Sequence, residues 1–206
     1  MALSILGGKL KGLTLAVPVG DKIRPTSVLL RRKVFDARQN MQDFTFVDAC
    51  CGSGAMGIEA WSRGAESVHL VEADKKVFKT LSLNVEKVLQ SVGHDIQEGT
   101  LQIYQERIER WLPRFAKMYL DGDAAKQNST IIFFDPPYEM TKLYEEVILG
   151  VLIGQGWYQG QIWVEADGQK GLPLKFWETK GLPLKFHYTH GSSYVLMLSK
   201  QDYRKA

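Results

Sequence analysis

The chain changes its hydrophobic rhythm near residue 43. Residues 3 to 17 read as two short strands around Gly7-Gly8 or Lys11-Gly12, and Pro18 with Gly20 ends them. Thr26 or Ser27 then caps a helix reaching about residue 41, with Val28, Leu30, Val34 and Phe35 as its apolar stripe. From Phe44 onward, short apolar runs alternate with helical stretches. The runs 44–49, 67–72, 100–104, 130–134 and 161–165 predict strands, and helices fill 54–64, 74–91, 106–119 and 141–153. Repeated strand–helix–strand order calls for right-handed crossovers, hence a mostly parallel sheet with helices on both faces. The closing runs HYTH and SYVLMLS predict an antiparallel hairpin at the sheet edge. The expected class is α/β: a small N-terminal hairpin-and-helix appendage over residues 1–42, then a sheet domain over 43–206.

Two segments fall outside this rhythm. Asp121 to Thr130 is polar and reads as a surface loop. The heptapeptide KGLPLKF occurs at 170–176 and again at 180–186, too few copies for a solenoid, and reads as a duplication that lengthens the loop before the hairpin.

Composition narrows the setting. With 206 residues, 45% hydrophobic and 24% charged, the chain has enough apolar material for one core. No apolar run reaches membrane-spanning length, and Gly7, Gly8 and Lys9 interrupt the only leader-like stretch, so neither spanning nor secretion is expected. Cys50 and Cys51 are adjacent, which excludes a structural staple and lacks the spacing of a metal site. A reducing cytoplasm fits them, and no metal is expected.

Charge is uneven. The formal net charge is +3, yet residues 1–40 carry eight Lys or Arg against Asp21 and Asp36. Positive charge gathered at one end suits a polyanion. Arg24, Arg31, Arg32 and Lys33 are the candidates to meet it; the competing reading is a solvated helix face.

The chemistry gathers at strand ends. After the first sheet strand comes Asp48-Ala49-Cys50-Cys51-Gly52-Ser53-Gly54-Ala55-Met56-Gly57, a glycine-rich turn into a helix. That spacing suits a dinucleotide as well, but Asp48 opposes a diphosphate and favours a cationic ligand, unless it only braces the loop. Glu72 ends the second strand, where a carboxylate can accept from both ribose hydroxyls; Asp74 reads as a helix cap. The apolar run Ile131 to Phe134 delivers Asp135-Pro136-Pro137-Tyr138 to the same rim. Asp135 and the Pro136 carbonyl can each take one proton of an exocyclic amine, the two prolines stiffen the corner, and Tyr138 offers a ring for an extruded base.

Taken together, these residues resemble the RsmD-type family of 16S ribosomal RNA guanine-N2 methyltransferases. The resemblance rests on ILGGKLKGLTLAVP with Arg24-Pro25-Thr26-Ser27, on DACCGSGAMGIEAWSRGAESVHLVEAD, on FFDPPYE and on the final hairpin. It implies a Rossmann-like class I methyltransferase sheet and S-adenosylmethionine as cofactor. Asp48, Gly52 and Gly54 would lie at its methionine end and Glu72 at its ribose, with Ser53 also among the residues that bind it. Asp135 to Tyr138 would hold the target amine, and the basic N-terminal segment would grip ribosomal RNA or a small-subunit assembly particle. The chain departs from the family at Val28 and Leu29, where an acidic and a basic residue are usual, and at Arg32, where a glutamate is. After the third strand the family aspartate is replaced by Gln105-Glu106-Arg107-Ile108, so the Glu106 side chain or backbone groups at Arg107 and Ile108 would face the adenine.

Three rival readings stay open on sequence. Asp-Pro-Pro-Tyr recognises an amino group rather than one base, so adenine N6 in DNA or RNA is a possible target. A non-catalytic RNA-binding assembly factor could keep the fold. A nicotinamide dehydrogenase could use the glycine turn, but leaves Asp135-Pro136-Pro137-Tyr138 unexplained.

Overall fold

A computed structural model describes residues 2–18, 27–93 and 101–203. Strands β1 (Ala2–Ser4) and β2 (Thr14–Ala16) pair antiparallel as a small sheet of their own, followed by helix α1 (Val28–Ala37). The main sheet comprises β3 (Thr45–Ala49), β4 (Ser67–Glu72), β5 (Leu101–Gln105), β6 (Thr130–Phe134), β7 (Gln161–Asp167), β8 (His187–His190) and β9 (Ser193–Leu198). Its order is β5-β4-β3-β6-β7-β9-β8. The first five strands are mutually parallel; β9 runs antiparallel to β7, and β8 closes the edge as its hairpin partner.

Alternation along the strands builds two cores. Phe46, Ile131, Phe133 and Trp163 face α2 (Ala55–Ser62), α1 and the N-terminal hairpin. Val47, Ile132, Phe134 and Val164 face the other way, onto Trp111, Leu112 and Phe115 of α4 (Ile108–Asp121) and onto Tyr144 and Ile148. Strands covered on both sides must be apolar at both parities, which is why these runs read as continuous rather than alternating. Helix α3 (Lys75–Val92) completes the β4–β5 crossover, and Asp74 caps it by accepting from Lys76 N and Val77 N.

The N-terminal segment shares a core with the sheet. Leu3, Ile5, Leu15, Leu30, Val34 and Phe35 are buried in the same cluster as Phe46, Ile58 and Trp163. Leu6 N donates to Glu59 Oε2 at 2.7 Å and Leu10 N to Ser62 Oγ at 2.9 Å, which ties the hairpin to α2. Ser27, not Thr26, is the observed cap of α1; Thr26 lies outside the described residues.

Several boundaries depart from the sequence expectation. Helix α1 ends at Ala37 rather than near 41. The stretch 121–130 is not all loop, because Asp123 accepts from Lys126 N and caps the short helix α5 (Ala124–Asn128). Helix α6 (Thr141–Tyr144) continues as a π-helical segment, Glu145–Ile153, a winding that periodicity does not announce. The two KGLPLKF copies adopt different structures. In the first, Pro173 precedes α7 (Leu174–Thr179), whose Trp177 is fully buried; the second has no helix and runs into β8, leaving Phe186 exposed. Context decides between them. The first copy is followed by a tryptophan one helical turn beyond Leu174, and the second by HYTH, which pairs with β9.

Candidate active site

The parallel strands deliver their C-terminal ends to one rim. Asp135 N donates to Ala49 O at 3.4 Å and Cys51 N to Val71 O at 2.9 Å, so the loops after β3, β4 and β6 start from a shared set of backbone bonds. The glycine turn and the Asp-Pro-Pro-Tyr corner, 83 residues apart between Gly52 and Asp135 in the chain, therefore rise side by side.

Each glycine of the turn has its own task. Gly52 (φ 57°) has open space where a Cβ would stand. Gly54 (φ 80°) caps α2 in the left-handed region, where a Cβ would meet Leu81 Cδ1 at 2.6 Å. Gly57 lets α2 lie against the sheet, since a Cβ there would stand 2.2 Å from Leu70 Cδ2. Cys50 also adopts a positive φ of 64°, an uncommon conformation for a residue with a side chain.

Carboxylates brace the turn. Asp48 is 1% exposed and its Oδ2 accepts from Gly57 N at 2.8 Å. Of the two roles open to Asp48, holding the loop is the one the contacts favour, and its carboxylate does not stand free at the surface of the site. Glu72 Oε2 accepts from Gly52 N at 2.9 Å and Oε1 from Asp74 N at 2.8 Å. It is half-buried rather than sealed, so its remaining lone pairs are available at the β4 end. Burial pushes both carboxyls up; the bond from Gly57 N opposes this in Asp48, as do those from Asp74 N and Gly52 N in Glu72. Burial, then Glu72, Asp135 and Asp48, also push the Cys50 thiol well up, away from the thiolate. The acid left open to a ligand is Glu72. A diphosphate would confront it, with the Gly57 N–H already committed, whereas a sulfonium or ammonium is attracted; the donor set fits S-adenosylmethionine better than a dinucleotide.

At the second loop, Pro136 is buried, Pro137 exposed and Tyr138 half-buried. The Pro136 carbonyl is not wholly free as expected: Tyr144 Oη lies 3.1 Å from it and 2.9 Å from Glu165 O, so one hydroxyl proton is shared between two acceptors. A carbonyl has two lone pairs, and one remains for an incoming amine. Tyr138 Oη donates to Glu165 Oε1 at 3.3 Å and lies 3.4 Å from Ser193 Oγ. Burial, then Glu165 and Asp135, raise its pKa far beyond the ordinary tyrosine range, so it stays a protonated donor and cannot serve as a base.

Other expected residues lie elsewhere or are differently engaged. Arg31 is fully buried, its Nη2 donating to Ser4 O at 2.5 Å, and a guanidinium in that position cannot meet phosphate. Its spacing explains this: residues 30, 31, 34 and 35 form one stripe of α1, so Arg31 shares the core face with Val34 and Phe35. Arg32 and Lys33 are exposed, with Lys33 Nζ donating to Thr189 O at 2.8 Å, and Arg24 lies outside the described residues. Ile108 opens α4 and is buried in the core. The Glu106 side chain is ion-paired with Arg114 and the Arg107 side chain with Glu109 at 2.6 Å, while the backbone groups expected at the adenine, those of Arg107 and Ile108, lie at the start of α4. Ser53 is buried and its carbonyl accepts from Asn84 Nδ2 at 2.9 Å. Among the described residues no His, Cys, Asp or Glu group is placed to hold a metal, and no helix is long and apolar enough to cross a membrane.

Glu165, Asp167, Tyr144 and Ser193 were missed from sequence. An acidic pair closing the apolar run QIWVEAD was the available signal, and nothing in the sequence marks Tyr144 or Ser193.

Counted from β3, the sheet order is 3-2-1-4-5-7-6, with the antiparallel last strand inserted beside the fifth. With a glycine turn after the first strand, an acid ending the second and Asp-Pro-Pro-Tyr after the fourth, this defines the class I S-adenosylmethionine-dependent methyltransferase fold.

Comparison with known proteins narrows the class. Residues 3–180 match the family described as Conserved hypothetical protein 95, and the chain belongs to that family. It is 31% identical over 172 residues to Ribosomal RNA small subunit methyltransferase D of Escherichia coli (strain K12), spanning 82% of this chain and 77% of the relative. It is 33% identical over 144 residues to Putative rRNA methyltransferase YlbH of Bacillus subtilis (strain 168), 68% of each chain. The solved structure titled Putative methyltransferase yhhF from Escherichia coli superposes with a TM-score of 0.68 at 25% identity, covering 96% of this chain and 97% of that one.

Proposed function

We propose that this protein transfers a methyl group from S-adenosylmethionine to the N2 amine of a guanine in small-subunit ribosomal RNA, acting in the cytoplasm on the RNA or on an assembly particle. The observation that carries the reading is the Asp135 N–H to Ala49 O bond, which starts the amine-binding corner from the same strand end as the glycine turn. The relatives' names supply the RNA, and the geometry supplies the chemistry.

S-adenosylmethionine, when bound, supplies an electrophilic methyl carbon on a cationic sulfur. Gly52 offers backbone without a side chain at the mouth, and Glu72 offers carboxylate lone pairs for ribose hydroxyls. Asp48 acts indirectly, holding Gly57 and hence the start of α2. Asp135 accepts one hydrogen of the target amine, and the remaining lone pair of the Pro136 carbonyl accepts the other, which orients the nitrogen lone pair toward the neighbouring cradle. The same two acceptors stabilise positive charge that develops on the nitrogen, and the proton leaves toward Asp135 or solvent. Tyr138 supplies a stacking face for the base, which must leave its own stack at a cost of a few kcal/mol. Arg32 and Lys33, with Arg24, contact phosphates from the basic N-terminal segment, residues 1–42.

Calorimetry with S-adenosylhomocysteine and with NAD tests the cofactor. A bound ligand at about 100 times its dissociation constant stabilises by roughly 2.7 kcal/mol, so a melting shift with the first and none with the second is expected. The reverse pattern contradicts the assignment.

A further inference from the structure

We propose that Glu165 is a positioning residue for the base-binding corner, the group through which β7 sets both the Tyr138 ring and the Pro136 carbonyl; this deepens the reading of Asp135 to Tyr138 as the amine site and rests on it. The register places it there. Phe134 is paired with Val164 across β6 and β7, so the next residues, Asp135 and Glu165, are level at the rim. Trp163 faces α2, and period-two alternation puts Glu165 on that same face, as it does Asp48 two residues after Phe46.

Glu165 engages both halves of the corner. Its side-chain Oε1 accepts from Tyr138 Oη at 3.3 Å, while its main-chain carbonyl accepts at 2.9 Å from the Tyr144 hydroxyl that also reaches Pro136 O. Proton accounting fixes the directions. The Ser193 hydroxyl donates to Asp167 Oδ2 at 3.0 Å, leaving its oxygen to share the single Tyr138 proton with Glu165. Burial alone would raise the Asp167 carboxyl, but bonds from Ser192 Oγ, Lys170 N, Gln169 N and Ser193 Oγ outweigh it and hold it at about 2, so this second support stays ionised at neutral pH.

A third contact closes the clamp and gives the first KGLPLKF copy a task. A Cβ on Gly171 would stand 2.8 Å from Tyr138 O and 3.2 Å from Tyr138 Cβ, so only glycine lets this loop pass against the tyrosine backbone. Tyr138 is thus bounded by β7 through Glu165, by β9 through Ser193 and by the loop after β7 through Gly171. A carboxylate at 1% exposure inside an apolar strand is costly to keep for stability alone. Fixing a ring before a base arrives lowers the ordering cost of capture.

The test measures kcat, KM for small-subunit RNA and Kd for S-adenosylhomocysteine on the full chain. Glu165→Ala is expected to lower kcat/KM for RNA about tenfold, the loss of roughly one hydrogen bond, with the Kd for S-adenosylhomocysteine unchanged within about twofold. Glu165→Gln, which keeps an acceptor oxygen, should recover most of that loss. Tyr138→Phe removes only the hydroxyl and should reproduce it, and adding Glu165→Ala to Tyr138→Phe should cost little more. Full activity of Tyr138→Phe, additive losses in the double variant, Glu165→Gln as poor as Glu165→Ala, or equal weakening of S-adenosylhomocysteine would each overturn the proposal. Should Glu165→Ala not fold, Tyr138→Phe against Glu165→Gln still decides. If the unaltered protein methylates no ribosomal RNA, the functional reading itself fails, a result distinct from loss of the clamp alone.

Discussion

Gly57→Ala and Gly52→Ala separate the two jobs of the glycine turn. At residue 57 the new Cβ would lie 2.2 Å from Leu70 Cδ2, 3.1 Å from Val68 Cγ1 and 3.2 Å from Asp48 Cβ. An ordinary carbon contact needs about 3.5 Å or more, so α2 must lift by roughly 1 Å or Leu70, fully buried, must leave its rotamer. Helix propensity favours alanine by about 1 kcal/mol, overpacking costs about 1–3, and lifting α2 weakens the Gly57 N to Asp48 bond by about another 1. The net is a destabilisation of about 1–3 kcal/mol. In a domain of this size that lowers the melting temperature by roughly 2–4 °C per kcal/mol. At residue 52 there is no neighbour to strike, only the left-handed backbone, so stability falls by about 1–2 kcal/mol at most while the methyl group enters the mouth of the site. Denaturant titration and S-adenosylhomocysteine calorimetry should therefore diverge. Gly57→Ala loses mainly stability; Gly52→Ala loses mainly affinity. A Gly57→Ala protein as stable as the parent, or a Gly52→Ala protein with full affinity, refutes the division.

Three further outcomes follow from charge, two of them from buried groups. Asp48 carries a carboxyl raised chiefly by burial, so its contribution to stability is full below the unfolded value of 3.8 and is lost as pH rises through the folded value. Asp48→Asn keeps an acceptor for Gly57 and cannot ionise; its stability relative to the parent should grow from pH 4 toward neutrality, and a flat or shrinking gap in denaturant midpoints would contradict the argument. Arg31 Nε and Nη1 are buried without hydrogen-bond partners among the described residues. Arg31→Met should leave stability within about 1 kcal/mol or raise it, with RNA affinity unchanged, whereas Arg32→Glu with Lys33→Glu should weaken RNA binding and flatten its salt slope; a loss of RNA binding in Arg31→Met would return that residue to the interface.

The legible parts of the fold were those set by local pattern. The five parallel strands and the closing hairpin follow from apolar runs and their spacing, because strands covered on both faces need them. What pattern could not reach depended on neighbours. Arg31 reads as one of four basic side chains in sequence; its spacing with Val34 and Phe35 puts it on the core face, but the acceptor that receives it there, Ser4 O on the hairpin, is set by tertiary packing. Glu106 lies one residue after a strand in a position fit for a ligand, but Arg114, two turns along α4, claims it. The corner was legible as Asp135-Pro136-Pro137-Tyr138. Its supports on β7 and β9 were not, since Glu165 and Ser193 meet Tyr138, and Asp167 meets Ser193, only once the sheet is assembled. The π-helical winding of Glu145–Ile153 has no signature in the apolar sequence EEVILGVLI.

The central claim is that an amine-holding carboxylate at residue 135 stands beside a donor site on the same rim. The most direct measurement is mass mapping of N2-methylguanine in small-subunit ribosomal RNA incubated with S-adenosylmethionine and either the parent protein or Asp135→Ala, each first checked for S-adenosylhomocysteine affinity. The account predicts one methylated guanine with the parent, none with Asp135→Ala, and equal cofactor affinity for both. Undiminished methylation by Asp135→Ala, or a methyl group found on an adenine instead, would contradict it.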